Sequence, residues 1–277
     1  MPPLIAVAHG SSDPHAAATI TELMGVVQTR AGERGLRGLQ PQAAYLGHAL
    51  PPVPAVLESA QADGYLDVVV LPLLLTPAYH SDTDLPAILR EQRTRFPGLR
   101  IRYGQPLGPH PALLRALERR LSEACGGAGQ PGSVPGRPGT VAGLAAQETA
   151  VVLAAAGSSR PRANAAVARL VAQWRSARGW RAVVAAYASA VPPTPAEAVS
   201  GLLRSGAKRV IVATYLLAPG SFADQIREQS LAAGARAVSA PLGAAPEVAD
   251  VLIERYRQAA LPGDAHAAGQ RRVSPRA

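Results

Sequence analysis

The sequence predicts an α/β protein made of two tandem domains, each a small doubly wound parallel sheet flanked by helices. Apolar runs of strand type alternate with helix-forming segments, which is typical of parallel sheets covered by helices on both faces. This pattern stops at a stretch rich in Gly and Pro and then begins again with the same motifs in the same order. With 277 residues, the chain is long enough for two domains of about 130 residues each.

Four strand–helix pairs are predicted in the first domain, residues 1–125. A buried strand at 4–8 precedes a helix of about 14–31, which Pro14 opens. The other pairs have the same form and are predicted at 40–46 and 52–62, 67–75 and 82–94, and 99–103 and 109–124. Because all strands run in one direction, their carboxyl ends meet at one edge of the sheet, where ligands bind in open α/β folds.

A linker and a repeat follow. Residues 126–149 are predicted to be a linker, because the Gly and Pro content of 126–139 excludes a helix or strand. Residues 150–261 are then predicted to repeat the first domain, and 262–277 to be a disordered tail. Four matches in one order indicate the duplication. They pair 4–12 with 151–159, 44–52 with 186–193, 67–77 with 209–219, and 106–108 with 241–243.

Composition narrows the classes of function. The formal charge of +9 comes from arginine, Lys208 being the one lysine, and it is scattered without interleaved aromatic residues, so nucleic acid binding is not expected. No apolar run approaches the roughly 18 residues that a spanning helix needs, and no leader is apparent, so we expect no membrane association and a cytoplasmic protein. The single cysteine, Cys125, agrees with a reducing compartment.

Two histidines follow strands that this topology places side by side. His9 ends the first strand and His80 follows the third. The second domain keeps the Gly-Ser-Ser turn but has Ala156 at the position of His9 and Phe222 at the position of His80. The framework is therefore preserved in both copies and the ionisable groups in only one. Two imidazoles without a cysteine pair suit Fe²⁺, Co²⁺ or Ni²⁺, so His9 and His80 are predicted metal ligands and catalytic groups.

A further metal ligand at this edge of the sheet could be either of two residues. His48 lies in the loop after the second strand, and Asp84 follows His80 and has no acidic counterpart in the repeat, where Ile226 stands. Asp82 has the counterpart Asp224 and is expected to cap a helix. The remaining histidines, His15, His110 and His266, are expected to be structural or exposed.

The Gly-Ser-Ser turns are candidate anion sites. Small residues allow a close approach, and hydroxyls with helix N–H groups bind carboxylate or phosphate, so Ser11, Ser12, Ser158 and Ser159 are predicted to bind substrate. Helix capping is the alternative role. Neither turn continues as a Walker or GxGxxG motif, and GxSxG is absent from the sequence, which disfavours nucleotide binding at these turns and the usual serine hydrolases.

These motifs resemble those of the sirohydrochlorin chelatase family, the class II chelatases that insert Fe²⁺ or Co²⁺ into a tetrapyrrole. The family's strand followed by His-Gly-Ser is matched at 8–12, and its Pro-containing strand with Tyr-His and a later Asp-x-Pro is matched at 70–86. The likeness covers residues 4 to 260 and is closest to the long form, in which two chelatase-like domains enclose one cleft.

The resemblance implies an enzyme, a lyase, without an organic cofactor. Metal would coordinate neutral imidazole at His9 and His80, the macrocycle would settle over it with Tyr79 among its contacts, and a histidine would accept pyrrole protons. It also implies sirohydrochlorin as substrate. Arginines and serines would then meet its eight carboxylates. A monomer would suffice because the domains are fused, with a homodimer as the alternative.

The sequence departs from the family pattern at two places. Many relatives carry an acidic residue after the second strand, where this chain has Gly47-His48, and Ala78 replaces a common glycine. Either His48 or Asp84 replaces the missing carboxylate, or turnover is poor. We therefore expect a sirohydrochlorin ferrochelatase of sirohaem biosynthesis, with a cobaltochelatase of cobalamin biosynthesis as the close alternative. Two hypotheses from different classes are a non-catalytic metal or tetrapyrrole carrier and a phosphate-binding α/β enzyme.

Overall fold

The computed structural model describes residues 1–76, 83–127 and 145–261. The first half contains β1 (Leu4–Ala8), α1 (Pro14–Glu33), β2 (Pro41–Tyr45), α2 (Val53–Ala62), β3 (Asp67–Pro72), α3 (Leu85–Arg95), β4 (Arg100–Tyr103) and α4 (Pro111–Ser122). The second half contains β5 (Thr149–Ala155), α5 (Pro161–Arg178), β6 (Ala182–Tyr187), α6 (Pro195–Arg204), β7 (Arg209–Tyr215), α7 (Ser221–Ala232), β8 (Ala237–Val238) and α8 (Pro246–Ala260).

Both halves form a parallel four-stranded sheet of the same topology. The strand orders are β2-β1-β3-β4 and β6-β5-β7-β8. The central strands β1 and β5 are fully buried along their length, which explains why they appear in the sequence as continuous apolar runs instead of alternating ones. The predicted fold class is confirmed. In each sheet the strand order reverses between the first and third strands, so the crevice for a ligand lies there.

The third strand ends earlier than the sequence predicts. The apolar run predicts a strand over 67–75, but β3 ends at Pro72. Leu73 still donates its N–H to the carbonyl of Val7, 2.7 Å away, whereas the carbonyl of Leu74 accepts from Gly108. The chain leaves β1 at this point because its backbone hydrogen bonds go to a different segment. A long apolar run does not reveal such a change of partner.

Two helices cross between the halves. Helix α4 packs against β7 of the second sheet, and α8 packs against α1, β3 and β4 of the first. The Tyr256 hydroxyl of α8 donates to the carbonyl of Pro2, 2.7 Å away. Arg30 of α1 forms an ion pair with Asp250 of α8. Each sheet is therefore covered on one face by the last helix of the opposite half.

The hydrophobic core reflects the packing of α4 and α8 on the opposite halves. One cluster joins the inner faces of both sheets with α1, α4, α5 and α8, and it contains Leu71, Trp174, Tyr215 and Tyr256. Two smaller clusters lie on the outer faces, under α2 and α3 in the first half and under α6 and α7 in the second. The molecule is thus layered, with one shared layer of helices between two sheets.

The predicted linker and tail lie largely outside the described residues. At the described edges, the chain forms a π-helical turn at Glu123–Gly127 and a 3-10 turn at Ala146–Glu148, and β5 begins at Thr149. The domain boundaries at 125 and 150 stay predictions. The disordered tail predicted at 262–277 lies outside the described residues.

Candidate metal and tetrapyrrole site

A cavity of about 490 Å³ lies between the carboxyl ends of the two sheets. The first half lines it with residues that follow β1, including His9 and Ser11, and with Leu73 and Leu74 after β3. The second half contributes Ala156 and Gly157 after β5 and residues 216–223 after β7. A volume of this size is within the range of small-molecule sites.

His9 is exposed at the end of β1 and contacts the backbone of the next residue. Its ring Nδ1 lies 3.2 Å from the carbonyl oxygen of Gly10. Because a carbonyl only accepts, Nδ1 carries the proton and donates it, which leaves the lone pair of the ring on Nε2. This is the arrangement that a metal-binding imidazole usually has, with one nitrogen hydrogen-bonded to the protein and the other directed to the ion.

His48 lies beside His9. The two ring centroids are 6.2 Å apart and the ring planes differ by 20°. An ion bound to both rings at about 2.1 Å from each nitrogen would keep the centroids within about 6.5 Å of each other. The two imidazoles are therefore close enough to share one ion.

The turn that carries His48 depends on a close backbone contact. Gly10 has φ of 93°, and a Cβ there would lie 1.7 Å from the carbonyl oxygen of Gly47. The N–H of Gly47 in turn donates to the carbonyl of His9, 3.1 Å away. His48 itself adopts a left-handed conformation with φ of 58°. The glycine thus allows the loop after β2 to pack directly on the turn after β1.

The second half repeats this geometry without its histidines. A Cβ on Gly157 would lie 2.1 Å from the carbonyl oxygen of Ser189, and Ala190 has φ of 68°. Ala190 is therefore the counterpart of His48, as Ala156 is of His9. The repeat keeps the backbone of the site and lacks both of these imidazoles.

The predicted serines are placed differently from one another. Ser11 lines the cavity, and its Oγ accepts a hydrogen bond from the N–H of Asp13, 3.1 Å away. Ser158 makes the equivalent bond with the N–H of Arg160, also at 3.1 Å. Ser12 and Ser159 are exposed, and neither they nor Ser158 line the cavity among the described residues. Both hydroxyls that accept these bonds keep a proton to donate to a ligand.

The other predicted residues fall into three groups. His80, Tyr79 and Asp82 lie outside the described residues. Asp84 is half-buried at the start of α3, where its side chain does not cap the helix. His15 is exposed and bonded to Asp13, and His110 caps α4. Within the described ranges, no three His, Cys, Asp or Glu side chains gather into a metal-binding group.

Sequence reasoning assigned the second half's share of the site to Ser158 and Ser159 and missed the residues that line the cavity. These include Phe222 and the segment before it, which follows β7. The available signal is the position of Phe222 in the repeat, which matches that of His80. By itself, this match indicates the loss of a histidine and not a contribution to the cavity.

In the described part of the chain, no helix is both long and apolar enough to cross a bilayer.

Known proteins are related to this chain in sequence and in fold. The sirohydrochlorin cobaltochelatase of Priestia megaterium is 28% identical over 187 residues, which cover 68% of this chain and 56% of that protein. The sirohydrochlorin ferrochelatase of Bacillus subtilis is 25% identical over 214 residues, 76% of this chain and 75% of that protein. This chain thus spans little more than half the length of the Priestia protein.

The structural comparison supports the fold over nearly the whole chain. The structure of SirB from Bacillus subtilis with Fe³⁺ superposes with a TM-score of 0.75 at 22% identity, covering 94% of this chain and 96% of that one. The CbiX family model matches residues 3–124 and again 150–259, so it finds both copies of the repeat. This chain therefore belongs to the CbiX family of sirohydrochlorin chelatases, as its motifs indicated.

Proposed function

We propose that this chain inserts a divalent metal ion into sirohydrochlorin, with Fe²⁺ as the metal and sirohaem as the product. The observation that carries the proposal is the pair His9 and His48 beside a cavity that both halves enclose. Co²⁺ is the alternative metal. The relatives include a cobaltochelatase and ferrochelatases, and imidazole ligands barely separate the two ions.

The metal ion enters as a substrate. Nε2 of His9 carries the lone pair that binds it, since Nδ1–H is held by Gly10. His48 is the proposed second ligand, and His80 completes the set implied by the family motif. A site of imidazoles holds the ion without closing around it, which suits a metal that must be passed on.

Insertion exchanges two protons for one ion. Two pyrrole N–H bonds break as the metal–nitrogen bonds form, so the neutral metallated core leaves two protons behind. When the ion moves to the macrocycle, Nε2 of His9 loses its metal and becomes free to accept one of them. The second goes to another histidine or to water. His9 therefore acts first as ligand and then as base.

The arginine-rich composition led us to expect charged groups around the substrate, but the described lining of the cavity is mainly apolar. No arginine is among the described residues that line the cavity. The macrocycle core would occupy the cavity, Ser11 would donate to one carboxylate, and the other carboxylates would extend toward the rim. Because one chain supplies both walls, we propose that a monomer suffices, with a homodimer as the alternative. The cytoplasm is the proposed location.

Metal insertion followed by absorbance tests the proposal. Purified protein would be mixed with sirohydrochlorin and Fe²⁺ without oxygen, and separately with Co²⁺. His9→Ala should lower kcat/KM at least about 100-fold and His48→Ala about tenfold. His15→Ala is the matched control, because this imidazole is 83% exposed and bonded to Asp13, and it should leave the rate unchanged.

The competing hypotheses give different results. If Asp84 replaces the missing carboxylate, Asp84→Asn should lower kcat/KM about tenfold and His48→Ala should leave it unchanged. A carrier would bind metal or tetrapyrrole without forming the metallated tetrapyrrole, and its binding would be unaffected by His9→Ala. No insertion of either metal by the wild type would contradict the enzymatic proposal. The faster of the two metals identifies the preferred ion.

A further inference from the structure

The two halves contribute different side chains to the cavity. The first half contributes the imidazole of His9 and the hydroxyl of Ser11 beside apolar residues such as Leu73, whereas the second half contributes an apolar wall made of Leu216, Leu217, Ala218, Pro219 and Phe222. The two sides come from different parts of the repeat, since His9 and Ser11 follow β1 and the apolar wall follows β7. Among the described residues that line the cavity, the imidazole therefore comes from the first half and the phenyl ring from the second, which indicates a division of roles between the halves.

Phe222 is the most exposed of these apolar groups. It lies in the first turn of α7, it is 43% exposed, and it is one of only two phenylalanines in the chain. A single exposed apolar side chain needs no explanation. This one faces a cavity together with four other apolar residues and stands at the repeat position of His80. An aromatic ring there can neither bind a metal ion nor accept a proton.

We propose that the apolar wall binds the macrocycle face that is turned away from the metal, with the ring of Phe222 stacked on the tetrapyrrole. This inference rests on the proposed function. A flat macrocycle approached by an ion from the His9 side has a second face of comparable area. Offset stacking on an aromatic ring and contact with aliphatic groups would keep that face out of water.

The chemistry of insertion favours such a wall. A histidine in place of Phe222 would set a second metal ligand across the cavity and compete with His9 for the ion. A phenyl ring binds the macrocycle and leaves the metal to the first half. The duplication has thus produced one metal-binding copy and one ring-binding copy.

Titration of the protein with metal-free sirohydrochlorin tests this inference. Phe222→Ala should raise the Kd for the tetrapyrrole roughly tenfold, Phe222→Leu roughly threefold, and Phe222→Trp should leave it near the wild-type value. Leu231→Ala is the matched control, since Leu231 lies on the same helix, is also 43% exposed and does not line the cavity. Its Kd should not change.

A second readout separates this inference from the proposed function. The absorption of protein-bound Co²⁺, measured without tetrapyrrole, should be the same in Phe222→Ala as in the wild type and should be lost in His9→Ala. If Phe222→Ala binds the tetrapyrrole as tightly as the wild type does, the inference is wrong while the chelatase proposal stands. If the wild type binds no tetrapyrrole, both are wrong.

Discussion

The hydroxyl of Tyr215, at the end of β7, donates a hydrogen bond of 2.9 Å to the carbonyl of Leu75 in the other half. In the second half the matching carbonyl, that of Leu217, accepts from the N–H of Gly243. In the first half, the N–H of Gly108 already donates to the preceding carbonyl, that of Leu74, as Leu242 does to Leu216. The hydrogen-bond register, one residue out of step with the sequence match, thus puts Pro109 opposite Leu75, and proline has no N–H to offer. Tyr215 therefore supplies a donor that the local backbone lacks.

Removing this hydroxyl should cost stability and activity together. Burial raises the pKa of Tyr215, so the group remains a donor at neutral pH. Tyr215→Phe keeps the ring and leaves the Leu75 carbonyl without its partner, and the free energy of unfolding should fall by about 1–2 kcal/mol. Metal insertion should also slow, because Leu74, next to Leu75, lines the cavity. Denaturant unfolding and the insertion assay would measure both effects.

Tyr187→Phe is the control for this variant. Its hydroxyl donates over 3.3 Å to the carbonyl of Asn164 within the second half, and Tyr187 does not line the cavity. We expect a smaller loss of stability and an unchanged insertion rate. Equal behaviour of the two variants would show that Tyr215 has no special link to the site.

Gly10 should tolerate no side chain. Gly10→Ala places a methyl group against the Gly47 carbonyl, so the loop carrying His48 must move, and both stability and metal affinity should fall. Gly35 also has a positive φ, 81°, but has nothing within 4 Å of a Cβ. Gly35→Ala should therefore show only the conformational cost of about 1–2 kcal/mol and keep its metal affinity. Metal titration of the two variants distinguishes the contact from the backbone strain.

His110 should make stability depend on pH. Its Nδ1 accepts from the N–H of Ala112 and its Nε2 lies 3.3 Å from Glu254, so the folded state uses the neutral ring. Burial lowers the pKa of His110, with Glu254 opposing this effect. As pH falls through about 6.5, the unfolded chain binds the proton first, and stability is lost until the lower folded pKa is reached.

The variant His110→Asn tests this pH dependence. Asparagine caps a helix without titrating. Its unfolding free energy should therefore vary less between pH 7 and pH 5 than that of the wild type. Parallel curves for the two proteins would contradict the role given to His110.

Glu118 should be important for joining the halves. On α4, its carboxylate accepts from the indole N–H of Trp174, 2.9 Å away, and pairs with Arg178, both on α5. Trp174 is fully buried, so Glu118→Ala leaves a buried donor unpaired and should reduce the free energy of unfolding by about 3 kcal/mol. Glu58→Ala breaks the exposed pair with Arg95 and should cost under about 1 kcal/mol. Similar losses in thermal unfolding would contradict this prediction.

The fold could be predicted because its signals are local. Buried parallel strands appear as apolar runs, and the repeat fixed the same order of elements twice. The position of His9 at the end of β1, next to β3, followed from that topology. The contact between His9 and His48 did not, because it depends on the left-handed conformation of His48 and the approach of Gly10 to Gly47, neither of which the side chains at 47–49 specify.

The exchange of α4 and α8 could not be predicted for a different reason. The pattern of apolar residues shows that a helix such as α8 has a buried face, with Val251 and Leu252 among its members, but it does not show which sheet covers that face. Either sheet offers an apolar surface of similar composition. The choice is made by contacts far apart in sequence, such as that of Tyr256 with Pro2.

This exchange has a consequence for anyone who would recombine the halves. A chimera that joins residues 1–127 of this chain to the second half of a relative must fit α4 to a foreign β7 and, at the same moment, a foreign final helix to α1, β3 and β4. Both of these contact surfaces must be packed as tightly as any protein interior. The two copies have become unequal in chemistry, yet neither can be replaced without altering the core of the other.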